Sequence, residues 1–123
     1  MPWLGPLVAA LLALASPAVR VETTVQVAPP PPAVTAPADS RCAEWFTVAL
    51  DAGFTPDEWP VVDRIMWCES KCQPAAYNRS GASGLMQIMG FWHHGRDPFD
   101  PATNLVMAHE VYETQGWRAW SCF

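Results

Sequence analysis

Residues 67–88 read W-C-E-S-K-C-Q-P-A-A-Y-N-R-S-G-A-S-G-L-M-Q-I, and two features of this stretch decide the fold. The first is Glu69. Upstream of it, residues 60–71 have the spacing of an amphipathic helix, with Val62, Ile65 and Met66 on one stripe and Glu69 one turn further along it. A carboxyl group on an apolar face loses hydration, which disfavours its charged form and raises its pKa, so it stays available as a general acid. The competing reading is a helix carboxylate that turns outward to water. The second feature is the run from Gly81 to Ile88, where a glycine-rich turn feeds an apolar segment and brings backbone close to a ligand. In an extended run, Gln87 would face the opposite side from Met86 and Ile88.

Taken together, W-C-E-S at 67–70, Pro74-Ala75, Asn78, the 81–88 run, D-P at 100–101, N-L at 104–105 and G-W-x-x-W at 116–120 resemble the soluble lytic transglycosylase family of the lysozyme superfamily. The likeness is to a compact, disulfide-bearing kind exported by actinobacteria and their phages, and it covers residues 41–123. It implies a mostly α, lysozyme-like domain with at most a small β element and two disulfides. It further implies that Glu69 is the catalytic acid and that Ser70, Asn78, Met86, Gln87 and Tyr112 bind substrate, Gln87 through the sugar's acetamido group. Each of these has a plainer alternative. Ser70 is an ordinary helix serine, Asn78 a turn former, Met86 a core residue and Gln87 a hydrogen-bonder behind the glycine turn. Tyr112 stands one position beyond the helix tyrosine of the family, where this chain has Val111.

The resemblance implies peptidoglycan glycan strands as partner and no cofactor. The reaction it implies is cleavage of the MurNAc–GlcNAc β-1,4 bond with a 1,6-anhydro-MurNAc product. Hydrolysing glycosidases use two carboxylates flanking the sugar bond. Only Glu69 is well placed; Asp100 reads as a helix cap and Asp97 as a loop residue. A water-using muramidase of the same fold and a noncatalytic exported peptidoglycan-binding module are the alternatives.

Outside this domain the composition changes. Residues 4–18 form a Leu- and Ala-rich block with Ser16 and Ala18 in the small-x-small spacing of a signal-peptidase site, although no Lys or Arg precedes it. Residues 1–18 are therefore read as a signal peptide or an uncleaved anchor. The block is short for a bilayer span, and the mature protein is expected to have none. Residues 19–40 include Pro29-Pro30-Pro31-Pro32 and read as an extended, Pro-rich linker. The catalytic domain is then residues 41–123, secreted or held in the cell envelope and expected to be monomeric.

A domain of about 83 residues is near the size at which an apolar core alone is marginal. Its four cysteines, Cys42, Cys68, Cys72 and Cys122, read as a disulfide framework in an exported chain. Cys68 and Cys72 lie one turn apart on the same helix, so a bridge between them would close almost no loop. Their spacing also lacks the close pairs of a thiolate zinc site. The resemblance implies Cys68 with Cys122, and with it Cys42 with Cys72.

Net charge is −5, without a basic cluster, which argues against a nucleic-acid partner. His93 and His94 are chain neighbours that point different ways, and His109 reads as a packing residue, so no metal is expected. The remaining elements are a helix over 42–52 stopped by Gly53, a capping-box-like start at Thr55 and Glu58, and a main helix beginning at Pro60 and ending by Gln73-Pro74. A surface loop follows over 90–99. The last helix opens at Asp100-Pro101, presents Leu105, Ala108, Val111 and Tyr112, and stops at Gly116. Trp117, Trp120 and Cys122 then form a lid.

Overall fold

The computed structural model describes residues 5, 13–19, 27–30 and 34–123. Two compact units are present, Met1–Pro31 and Pro32–Phe123. Most of the expected leader, and part of the Pro-rich segment, lie outside the described residues. Among the described residues no helix is long and apolar enough to cross a membrane.

The second unit is mostly helical. A 3-10 turn, Ala43–Trp45, leads into α1, Phe46–Asp51; α2 is Trp59–Ser70 and α3 is Pro101–Gln115, with further 3-10 turns at Gly90–Trp92 and Trp117–Ala119. Extended structure among the described residues is limited to isolated antiparallel bridges, Tyr77 with Ser83 and Ser83 with Ile88. The core joins α1, α2 and α3 through Phe46, Val62, Ile65, Met66, Leu105 and Ala108, all buried. The aromatic edge of Phe46 against Trp59, 5.2 Å between centroids, fixes α1 on α2.

Several boundaries differ from the sequence expectations. The first helical segment is split, because Cys42 to Trp45 take a tighter turn before α-geometry begins at Phe46. The reciprocal pair Thr55–Glu58 forms, with the Thr55 N–H donating to Glu58 Oε1 at 2.9 Å and the Glu58 N–H to Thr55 Oγ1 at 3.3 Å. It closes the turn just before α2, which starts at Trp59 with Pro60 inside its first turn. The same helix stops at Ser70, earlier than expected, because Lys71 and Cys72 take left-handed φ values of 53° and 63°. That reversal is held by the Cys42–Cys72 disulfide and by the Trp45 indole, which donates to the Cys72 carbonyl at 3.1 Å. Asp63, a buried carboxylate on α2, accepts the backbone N–H groups of Arg41 and Cys42 at distances down to 2.7 Å, so the segment entering the domain is tied to α2.

The Asp100 cap is as expected. Its carboxylate accepts from the Thr103 N–H at 3.0 Å and hydroxyl at 2.7 Å, which holds its pKa low; Pro101 opens α3 and Gly116, φ 72°, ends it. The second disulfide joins Cys68 to Cys122. Both pairings are those implied by the resemblance.

The clearest correction concerns residues 84–87, which form a turn and not an extended run. Gln87 is left-handed, φ 51°. The organiser is Asn104 of α3, fully buried: its Oδ1 accepts the Met86 N–H at 2.9 Å, and its Nδ2 donates to the carbonyls of Ser83 at 2.9 Å and Pro98 at 2.8 Å. Gly84, φ 78°, lies so close to the Asn104 amide and the Pro98 carbonyl that a Cβ there would collide with both.

Candidate active site

Glu69 lines an open cleft of about 350 Å³. It comes from the last turn of α2, which the Lys71–Cys72 reversal terminates beside the glycine turn. One wall is that turn, with Ala82, Gln87, Ile88 and Met89; a second is the 3-10 turn carrying Phe91 and Trp92. Val111 and Gln115 of α3 and Ala119, Trp120 and Ser121 of the C-terminal segment complete the lining. Glu69 is the one carboxylate among these residues. Burial raises its pKa from the ordinary glutamate value, which keeps a proton on it to higher pH.

The remaining expected residues divide. Gln87 lies in the cleft with Glu69, and its amide nitrogen donates to the Ala76 carbonyl at 3.1 Å and the Gly84 carbonyl at 3.0 Å. Since both partners are acceptors, the amide orientation is determined, and only the carbonyl oxygen is left for a ligand. Ser70, although adjacent to Glu69, is buried and donates to the Met66 carbonyl at 3.0 Å, the usual back-bond of a helix serine. Met86 is fully buried, with its backbone N–H on Asn104 and its carbonyl accepting from the Trp120 indole at 2.8 Å, so it is core and not cleft. Asn78 is exposed and makes an Asx turn, its Oδ1 accepting from the Ser80 N–H at 3.1 Å; it is not among the cleft residues.

Tyr112 also leaves the site. It stacks on Trp117, 4.0 Å between centroids, and the neighbouring Glu58 carboxylate raises its phenol pKa, while Val111 takes the place in the cleft. One residue along a helix is a rotation of about 100°, so the single-position offset seen in the sequence sends the tyrosine to another face. Asp97 accepts from the Phe99 N–H at 2.9 Å in a turn of its own and is not among the cleft residues. No cluster of metal-binding side chains occurs among the described residues, and His109 packs edge-on to Phe54 at 4.9 Å.

Trp120, expected in a lid, lines the cleft, whereas Phe91, Trp92, Gln115, Ala119 and Ser121 were not expected in the site. For Phe91 and Trp92 the one sequence signal is that they are a pair of adjacent aromatics in a segment with no periodicity.

Residues 46–122 match the lysozyme-like domain family. Searches of curated proteins and of solved structures each found no match. The match spans most of the domain that carries the cleft, and the chain belongs to the lysozyme-like domain family.

Proposed function

We propose that this protein is a lytic transglycosylase that cleaves the MurNAc–GlcNAc β-1,4 bond of peptidoglycan. Membership of the lysozyme-like family supports a peptidoglycan-acting protein. The finer reading is carried by one observation: the cleft holds a single carboxylate, Glu69, whose pKa burial raises. A water-using hydrolase employs a second carboxylate to activate water or trap the sugar. With one carboxyl, the route that balances is intramolecular. Glu69 gives its proton to the glycosidic oxygen as the C1–O bond breaks. The resulting carboxylate then takes the proton of the MurNAc 6-hydroxyl, whose oxygen closes on C1. Glu69 ends protonated, and the product is a 1,6-anhydro sugar. The free Gln87 carbonyl oxygen is suited to accept from the acetamido N–H.

The two disulfides and a peptidoglycan-acting domain fit an extracytoplasmic location. Residues 1–18 as a signal peptide or anchor, with residues 19–40 as linker, complete the proposal. Mass spectrometry of muropeptides released from purified cell wall tests it. Anhydro-MurNAc ends are expected; reducing MurNAc ends would replace the reading with a muramidase, and no release with a noncatalytic binding module.

A further inference from the structure

Phe91 is 68% exposed, and its ring lies 5.7 Å from that of Trp92, which lines the same cleft as Glu69. An exposed phenylalanine alone needs no explanation. The way this one is held does. Arg96 reaches back over the turn that carries it: Nη2 donates to the Trp92 carbonyl at 2.9 Å and Nε to the His93 carbonyl at 3.1 Å, while the guanidinium forks onto Glu110 of α3 with two 2.8 Å bonds. On the other side the His93 ring places Nε2 2.9 Å from the Ile88 carbonyl, so that nitrogen carries the proton and donates. A short segment with no apolar periodicity is thus fastened at both ends by side chains, and what it presents to the cleft is two aromatic rings. Fixing a binding group before the ligand arrives lowers the ordering cost of association.

A pyranose ring offers an apolar C–H face and a polar rim. Phe91 and Trp92 supply a surface for the first; Gln87, Gln115 and Ser121 of the same cleft supply partners for the second. Resting on the glycan-cleaving reading of the cleft, we propose that Phe91 and Trp92 form a pre-organised aromatic subsite for one sugar ring of the strand, with Arg96 and Glu110 as its positioning pair. The subsite sets which ring of the strand lies over Glu69.

The test separates binding from turnover. In the Glu69→Gln protein, a GlcNAc–MurNAc tetrasaccharide is titrated and followed by tryptophan fluorescence and by NMR. Adding Phe91→Ala is expected to raise Kd about tenfold with an unchanged melting temperature, because the ring is exposed. In the active protein, Arg96→Lys keeps the charge and loses the fork, and is expected to raise KM while leaving kcat within about twofold. An unchanged Kd for Phe91→Ala, or no tetrasaccharide binding at all, overturns the subsite. A wild type that cleaves cell wall and a Phe91→Ala variant with the same KM would remove the subsite and leave the functional reading standing. A wild type that releases nothing removes the functional reading, and the titration still decides whether sugar sits on Phe91.

Discussion

The Trp120 indole donates to the carbonyl of Met86 across 2.8 Å, joining the C-terminal segment to the turn that carries Gln87. Two walls of the cleft are thereby one unit, and the bond is buried. Trp120→Phe keeps a ring and removes the donor, leaving the Met86 carbonyl without its partner. A loss of about 1–3 kcal/mol is expected, measured by denaturant unfolding, with kcat/KM falling at temperatures where the variant is fully folded. Full activity in the folded variant would mean that the two walls need no coupling.

Glu69→Gln keeps the shape of the side chain and removes the transferable proton, so glycan cleavage is expected to fall to less than a few per cent of wild type with the fold intact. Stability offers a second readout. Because burial raises the folded-state pKa of Glu69 above its unfolded value, the protonated form favours the folded state; that contribution is complete below the unfolded pKa and is lost as pH rises through the folded one. Glu69→Gln carries no such dependence, so its stability relative to wild type should improve as pH climbs from about 4 towards neutrality. Melting curves of both proteins over that range check the sign, and a parallel pair of curves would show Glu69 to be fully solvated.

Local chemistry made much of this domain legible. The Asp100 cap, the stop at Gly116 and the stripe ending in Glu69 follow from residue types at fixed spacing, and each is present in the structure. What could not be read was set at a distance. The polar–apolar alternation of Met86, Gln87 and Ile88 suggested an extended run, but Asn104, 18 residues away, takes the Met86 N–H and bends the segment into a turn. Ser70 looked like a site residue by adjacency to Glu69, yet its hydroxyl satisfies itself on its own helix. The aromatic wall at Phe91 and Trp92 depends on Arg96 finding Glu110 across 14 residues, a pairing that no local pattern announces.

The Cys68–Cys122 bridge ties the residue before Glu69 to the segment bearing Ala119, Trp120 and Ser121. Replacing both cysteines by serine opens a loop with a sequence separation of 54, for which the chain-entropy relation gives about 4 kcal/mol. In so small a domain a large drop in melting temperature is expected. Assayed at a temperature where the variant is still folded, activity should also fall, because one cleft wall is released. Retained activity with lowered stability would assign the bridge to folding alone.

Gln87 decides how the cleft is built. Its amide nitrogen holds the carbonyls of Ala76 and Gly84, and its left-handed backbone closes the turn beside Glu69. Gln87→Ala therefore removes two hydrogen bonds from half-buried carbonyls, and a stability loss of about 1–3 kcal/mol is expected. If the free carbonyl oxygen also orients the substrate's acetamido group, kcat/KM in the folded variant should drop by roughly 10- to 1000-fold, beyond anything folding accounts for. Gln87→Glu sharpens the comparison, since it preserves the acceptor, discards both donors and brings a second carboxylate next to Glu69. Substrate contact predicts that Glu at this position keeps more activity than Ala at equal folded fraction, whereas a role confined to the turn predicts that both variants lose activity only in step with their unfolding.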